Sequence, residues 1–169
     1  MPAVVVMGVS GCGKTTLAAG LAETLGWTLL EGDSFHPPAN IAKMRAAIPL
    51  DDADRAPWLR AIAAAMDARI AAGEGAVVAC SALKRADRSV LSGPRGDVTL
   101  LFLRGARAVI AARLAMRRGH YMPPGLLDSQ LATLEEPGAE EHPITLAVDP
   151  PPAAILAAAR AALAERGIA

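Results

Sequence analysis

Ala3-Val4-Val5-Val6-Met7-Gly8-Val9-Ser10-Gly11-Cys12-Gly13-Lys14-Thr15 runs from a short apolar stretch straight into three glycines, a lysine and a hydroxyl residue. Five consecutive apolar residues rich in valine suit a strand covered on both faces. The following segment, Lys14 to Leu25, has helical composition. The whole therefore reads as strand, loop and helix, with the glycines where the chain must turn and approach a ligand closely. In that setting successive backbone N–H groups and the positive end of a helix surround phosphate oxygens. The spacing of Gly8, Gly13, Lys14 and Thr15 is that of a phosphate loop. Gly8, Val9, Ser10, Gly11, Cys12, Gly13, Lys14, Thr15 and Thr16 are accordingly the expected nucleotide site. Lys14 would bring a mobile charge to the β- and γ-phosphates, and the Thr15 hydroxyl would be the magnesium ligand.

Working outward, apolar runs recur at Ala76 to Cys80, Val98 to Leu103 and Ile144 to Val148, separated by helix-length segments. That alternation predicts an α/β fold with a largely parallel sheet flanked by helices. Leu59, Ile62, Met66 and Ile70 fall at spacings of three and four, so a helix is expected between Asp54 and Ala72 with Pro57 in its first turn. Another is expected from Ala106 to Arg118, and an Ala-rich one after Pro150-Pro151-Pro152 that packs at the edge and carries no chemistry. The 169 residues fit a single domain, 1–169. Hydrophobic residues make up 53% and charged residues 20%, which excludes a disordered chain. The 17 basic and 17 acidic residues cancel, which disfavours a general nucleic-acid or membrane-surface partner. Two cysteines, Cys12 and Cys80, lack zinc or dithiol spacing and suit a reducing compartment. With no bilayer-length apolar run and a strand beginning at Ala3, a cytoplasmic protein is expected.

A phosphate loop alone does not separate a switch GTPase, an ATPase motor and a small-molecule kinase. The lysines are Lys14, Lys43 and Lys84, and neither of the last two is followed two residues later by Asp, so the guanine-recognising segment is absent. Three groupings fit a small kinase. Glu31-Gly32-Asp33-Ser34-Phe35-His36 follows Leu29-Leu30, placing Asp33 at the carboxyl edge of a second strand, where open α/β sheets bind ligands. Asp33 is positioned to orient an acceptor hydroxyl and take its proton, or else caps the next helix; His36 divides between substrate contact and local capping. Lys84 and Arg88, one helical turn apart, suit an anionic substrate or a solvated basic face. Arg113 and Arg117 share a helix face before Gly119 and Pro123-Pro124. They read either as charges on a mobile lid spanning about 113–130 or as partners of a helix dipole.

These residues resemble the gluconate kinase family, small phosphate-loop kinases related to shikimate and nucleoside monophosphate kinases. The resemblance takes in Met7 to Thr15, Gly32-Asp33 with His36-Pro37, Asn40 with Lys43-Met44, Asp52 with Asp54-Arg55, and Pro57-Trp58-Leu59. It continues through Cys80 to Lys84, Arg88, Arg113-Leu114, Arg117, Gly119-His120, Gln130 and Thr133-Leu134-Glu135. It implies ATP-dependent phosphorylation of D-gluconate at its 6-hydroxyl on a phosphate-loop kinase-like parallel sheet flanked by helices, with a mobile lid, ATP and magnesium as cofactors and a homodimer as a possible assembly. Asp33, His36, Arg55, Lys84 and Arg88 would then lie on the acceptor side, and Arg113 and Arg117 on the lid. Arg55 is placed equally well to brace Asp52 or Asp54. Three positions depart from the family pattern: Cys12 stands where serine is common, Ala47 where glycine is usual, and Asp51 where asparagine is common. The alternatives are a kinase for another small hydroxylated acid such as shikimate, and a regulatory module that binds ATP without transferring its phosphate.

Overall fold

Val4 and Val6 of the first strand, β1 (Ala3–Met7), point to one face of a sheet, while Ala3, Val5 and Met7 point to the other. All five are buried, as an uninterrupted apolar strand requires. The computed structural model describes residues 2–93, 96–116 and 124–168. Four further strands, β2 (Thr28–Glu31), β3 (Ala76–Ala79), β4 (Val98–Arg104) and β5 (Ile144–Ala147), join β1 in the order β2-β3-β1-β4-β5. Every pairing is parallel, with Val4 opposite Val77 on one side and Thr99 on the other. Strand order reverses beside β1, and ligand crevices in such sheets open at the carboxyl ends of the strands there.

Helices cover both faces. Over Val4 and Val6 lie Leu17 and Leu21 of α1 (Lys14–Leu25), Ile110 of α5 (Arg107–Ala115), Leu127 of α6 (Pro124–Thr133) and Leu163 of α7 (Pro152–Glu165). Over Val5 and Met7 lie Trp58, Ile62 and Met66 of α3 (Asp52–Ala71) and Leu91 of α4 (Arg85–Ser92). The remaining helix, α2 (Pro38–Arg45), exposes Ile41 and Met44. No helix of the described residues is long and apolar enough to cross a membrane.

One expectation about a helix needs correction. Helix α3 begins at Asp52, because Asp51 accepts the Asp54 amide at 2.8 Å and Asp54 returns the bond at 3.0 Å, a capping box that starts the helix ahead of its apolar stripe. Pro57 thus lies inside the helix, beyond its first turn. Asn and Asp are about equally good caps, which accounts for Asp51 as a departure. Helix α7 packs on α1 and on the edge strand β5, as expected, and Pro152, Ala153 and Leu156 at its start line a cavity beside the phosphate loop.

Candidate active site

The phosphate loop leaves the carboxyl end of β1 at the centre of the sheet and re-enters regular structure at Lys14, the first residue of α1. Gly11 has a φ of +84°, and a Cβ there would fall 2.5 Å from Leu114 of α5, so glycine is required by both backbone and space. The neighbouring Ser10 is gripped by α6: its amide donates to Gln130 Oε1 at 2.7 Å, and Gln130 Nε2 donates to Ser10 Oγ at 3.1 Å. The Lys14 ammonium donates to the Val9 carbonyl at 3.0 Å, inside the loop whose anion it would meet. A cavity of about 550 Å³ opens beside Gly11, Gly13, Thr16, Arg113 and Pro152. Cys12 is buried, and burial pushes its thiol above the usual range, so this position carries an unreactive side chain on a loop whose work is done by N–H groups.

Thr15 Oγ1 donates to Glu31 Oε2 at 3.3 Å, bringing a hydroxyl and a carboxylate together at the edge of β2. Two hard oxygen ligands suit magnesium, which keeps several waters and takes its other ligands from phosphates. Glu31 had no role in the sequence reading. Its signal was present in its place as the last strand residue before Gly32-Asp33.

Gly32 lies beside the end of β3, where a Cβ would stand 2.5 Å from the Ala79 carbonyl oxygen. Trp58 Nε1 donates to the Gly32 carbonyl at 2.7 Å, tying α3 to the same turn. The buried indole also stacks on His36, with ring centroids 4.3 Å apart and planes at 14°. Asp33 sits in a single 3₁₀ turn, Gly32–Phe35, with its side chain 98% exposed and no capping bond from it. His36 Nε2 lies 4.0 Å from Asp33 Oδ1. Burial lowers the His36 pKa, and the Asp33 charge opposes that only in part.

The three acids at the start of α3 have separate partners. Asp54 pairs with Lys43 at 2.7 Å, and that hydrogen bond above all holds its carboxyl below the ordinary range. Asp52 receives Lys84 Nζ at 2.8 Å and the Arg55 guanidinium, which lower its pKa in that order. Arg55 therefore braces Asp52, and it donates also to the Leu50 carbonyl at 2.7 Å. Its Nε–H is buried without a hydrogen bond, Asp87 Oδ1 standing 3.7 Å away.

Asp33 and His36 come together, as do Arg55 and Lys84. Arg88 does not join them. It is 1% exposed and binds both oxygens of Glu141, at 2.6 and 2.9 Å, and the carbonyls of Ala82, Leu83 and Glu135. The expectation that it meets substrate is corrected: with its donors held inside the protein it braces the segment after α6. Arg113 is turned towards the start of α7, donating to the carbonyls of Val148 and Pro150, and lines the phosphate-loop cavity. Arg117 lies outside the described residues, as does 117–123 of the expected lid.

A family model described as an AAA domain matches residues 4–137. The chain is 49% identical over 152 residues to a gluconokinase of Gluconobacter oxydans (strain 621H), covering 90% of this chain and 85% of that one. A gluconokinase structure from Sinorhizobium meliloti 1021 superposes with a TM-score of 0.87 at 45% identity, covering 98% of this chain and 93% of the other. A sugar kinase structure from Janibacter sp. HTCC2649 gives 0.90 at 48% identity, covering 100% and 96%.

Proposed function

The chain belongs to the gluconokinase family and phosphorylates gluconate from ATP, and we propose that the phosphoryl group goes to the 6-hydroxyl, with Asp33 as the base. The observation that carries the acceptor assignment is the pair of cations, Arg55 and Lys84, already closed on one carboxylate, that of Asp52. Two cations that hold a carboxylate side chain suit the carboxylate of a sugar acid by charge-assisted hydrogen bonds. In this reading gluconate is held by that end and presents its far hydroxyl to Asp33.

The phosphate loop and Lys14 hold the β- and γ-phosphates, Arg113 and the start of α7 border the base and ribose, and Thr15 with Glu31 would hold magnesium. When bound, magnesium would supply positive charge to offset the charge developing on the transferring group. Asp33 accepts the proton of the 6-hydroxyl as its oxygen bonds to the γ-phosphorus and the bond from that phosphorus to the ADP oxygen breaks. The products are 6-phospho-D-gluconate and ADP. Arg117 is proposed to join the charge that faces the γ-phosphate. General-base assistance contributes roughly 10²–10⁴-fold.

The test is product formation across gluconate, shikimate and nucleoside monophosphates under the same ATP and magnesium conditions, with the phosphorylated carbon read by ³¹P–¹H coupling. Gluconate is expected to give the highest kcat/KM, and Asp33→Asn to lower kcat by at least about a hundredfold with ATP affinity little changed. ATP binding with no product from any acceptor would leave only the regulatory reading. A loss under tenfold with a clear fall in melting temperature would make Asp33 a structural residue.

A further inference from the structure

Asn40 sits on α2, one turn beyond His36, and is 2% exposed. One atom of its amide stands 2.9 Å from the backbone oxygen of Asp54. A carbonyl only accepts, so that atom is Nδ2. The same nitrogen lies 3.3 Å from His36 Nδ1 and has a second hydrogen to give. Two donors cannot face each other, so His36 Nδ1 carries a lone pair, and in the neutral ring the proton resides on Nε2. The stack on Trp58 fixes the plane of the ring, and a half-turn within that plane would put a carbon, which accepts no hydrogen bond, against the Asn40 amide. Nε2 is the nitrogen that faces Asp33, at 4.0 Å.

Resting on the reading that Asp33 receives the acceptor proton, we infer that His36 is a neutral hydrogen-bond donor to the acceptor hydroxyl, and that Asn40 is the positioning residue that fixes this ring state. A separation of 4.0 Å is too long for a direct bond but fits one oxygen between. An oxygen about 2.8 Å from both atoms subtends roughly 90°, near the directions of a hydroxyl's hydrogen and lone pairs. Such a hydroxyl gives its hydrogen to Asp33 and takes the Nε2–H on one lone pair. Its other lone pair is left for phosphorus. A proton on Nδ1 would confront the Asn40 amide, so the ring is not built to act as an acid. Burial, which already lowers its affinity for a proton, works in the same direction.

Long-range ¹H–¹⁵N spectra of the ¹⁵N-labelled full chain at pH 7 read the ring directly, and His36→Gln identifies its signals among the three histidines. The expected pattern is a protonated Nε2 with an unprotonated Nδ1, shifting to an averaged pattern in Asn40→Leu. In kinetics, His36→Gln retains an N–H near the Nε2 position and should keep gluconate kcat/KM within about tenfold, whereas His36→Leu should lose about a hundredfold, with the KM for ATP little changed in both. A wild-type ring protonated on Nδ1, or a cationic ring at pH 7, would overturn the inference, and so would Gln and Leu variants of equal activity. If His36→Leu does not fold, the wild-type spectrum and His36→Gln still decide. Absence of gluconate turnover in the wild type overturns the acceptor role along with the proposed function, while the spectrum separately reports whether Asn40 sets the ring.

Discussion

At Ala47 the backbone is left-handed, with φ at +55°. The turn closes α2: the Ile48 amide donates to the Lys43 carbonyl at 2.8 Å and the Ala47 amide to Met44 at 3.1 Å, the bond pair of a Schellman motif. Glycine is the usual residue at the left-handed position because a Cβ there costs about 1–2 kcal/mol. Ala47→Gly should therefore stabilise the chain by about 0.5–1 kcal/mol once the greater freedom of glycine in the unfolded state is subtracted. An unchanged or lower urea midpoint would show that the turn is not strained. The departure at Ala47 was legible in the sequence; its consequence was not, because a single residue name carries no φ. Asp33 was legible for the opposite reason, since a Gly-Asp pair after an apolar run marks a strand end whatever the tertiary details. Spacing misread Arg88. One helical turn from Lys84 it suggested a shared cationic face, but its partner Glu141 is 53 positions away and no local pattern reveals such a pair.

That pair holds an element in place. Arg88 of α4 reaches the segment between α6 and β5, and the Arg85 amide donates to Glu135 at 2.7 Å nearby. Removing one partner of a buried ion pair leaves an uncompensated charge, so Glu141→Gln should cost about 3 kcal/mol at pH 7. The Glu141 carboxyl is held below its ordinary 4.5, chiefly by the hydrogen bond from Arg88. Because the folded value is depressed, its contribution is present above that pH and fades as pH falls through the folded pKa. The gap between wild type and variant in urea midpoint should thus narrow from pH 7 towards pH 3, and a gap independent of pH would remove the carboxylate charge from the account. Helix α6 also reaches the other way, clasping Ser10 through Gln130. Gln130 and Asn40 entered the sequence reading without roles, because an amide shows its function only once both of its partners are known.

At the scale of the whole molecule, the cavity beside the phosphate loop, the proposed nucleotide site, is walled by α1, α5 and the start of α7, all packed on the same core as the central strand. A ligand there binds only the folded chain, and at a hundred times its Kd it should add about 2.7 kcal/mol to global stability. For a domain of this size that is a rise in Tm of roughly 5–10 °C, measurable by calorimetry with a non-hydrolysable ATP analogue and magnesium. No rise at saturating analogue would remove the cavity from the nucleotide site. The sheet was legible because its strands are apolar on both faces; the cavity was not, since α7 reads in sequence as an Ala-rich helix and nothing more. The position of β1 also has a consequence for biosynthesis. Its neighbours begin at Ala76 and Val98, and at about 5–20 residues per second of synthesis they emerge several seconds after it. A valine-rich strand thus leaves the ribosome long before either partner exists to cover it. During that interval its unpaired N–H and C=O groups and apolar faces are open to pairing with the same strand of another copy.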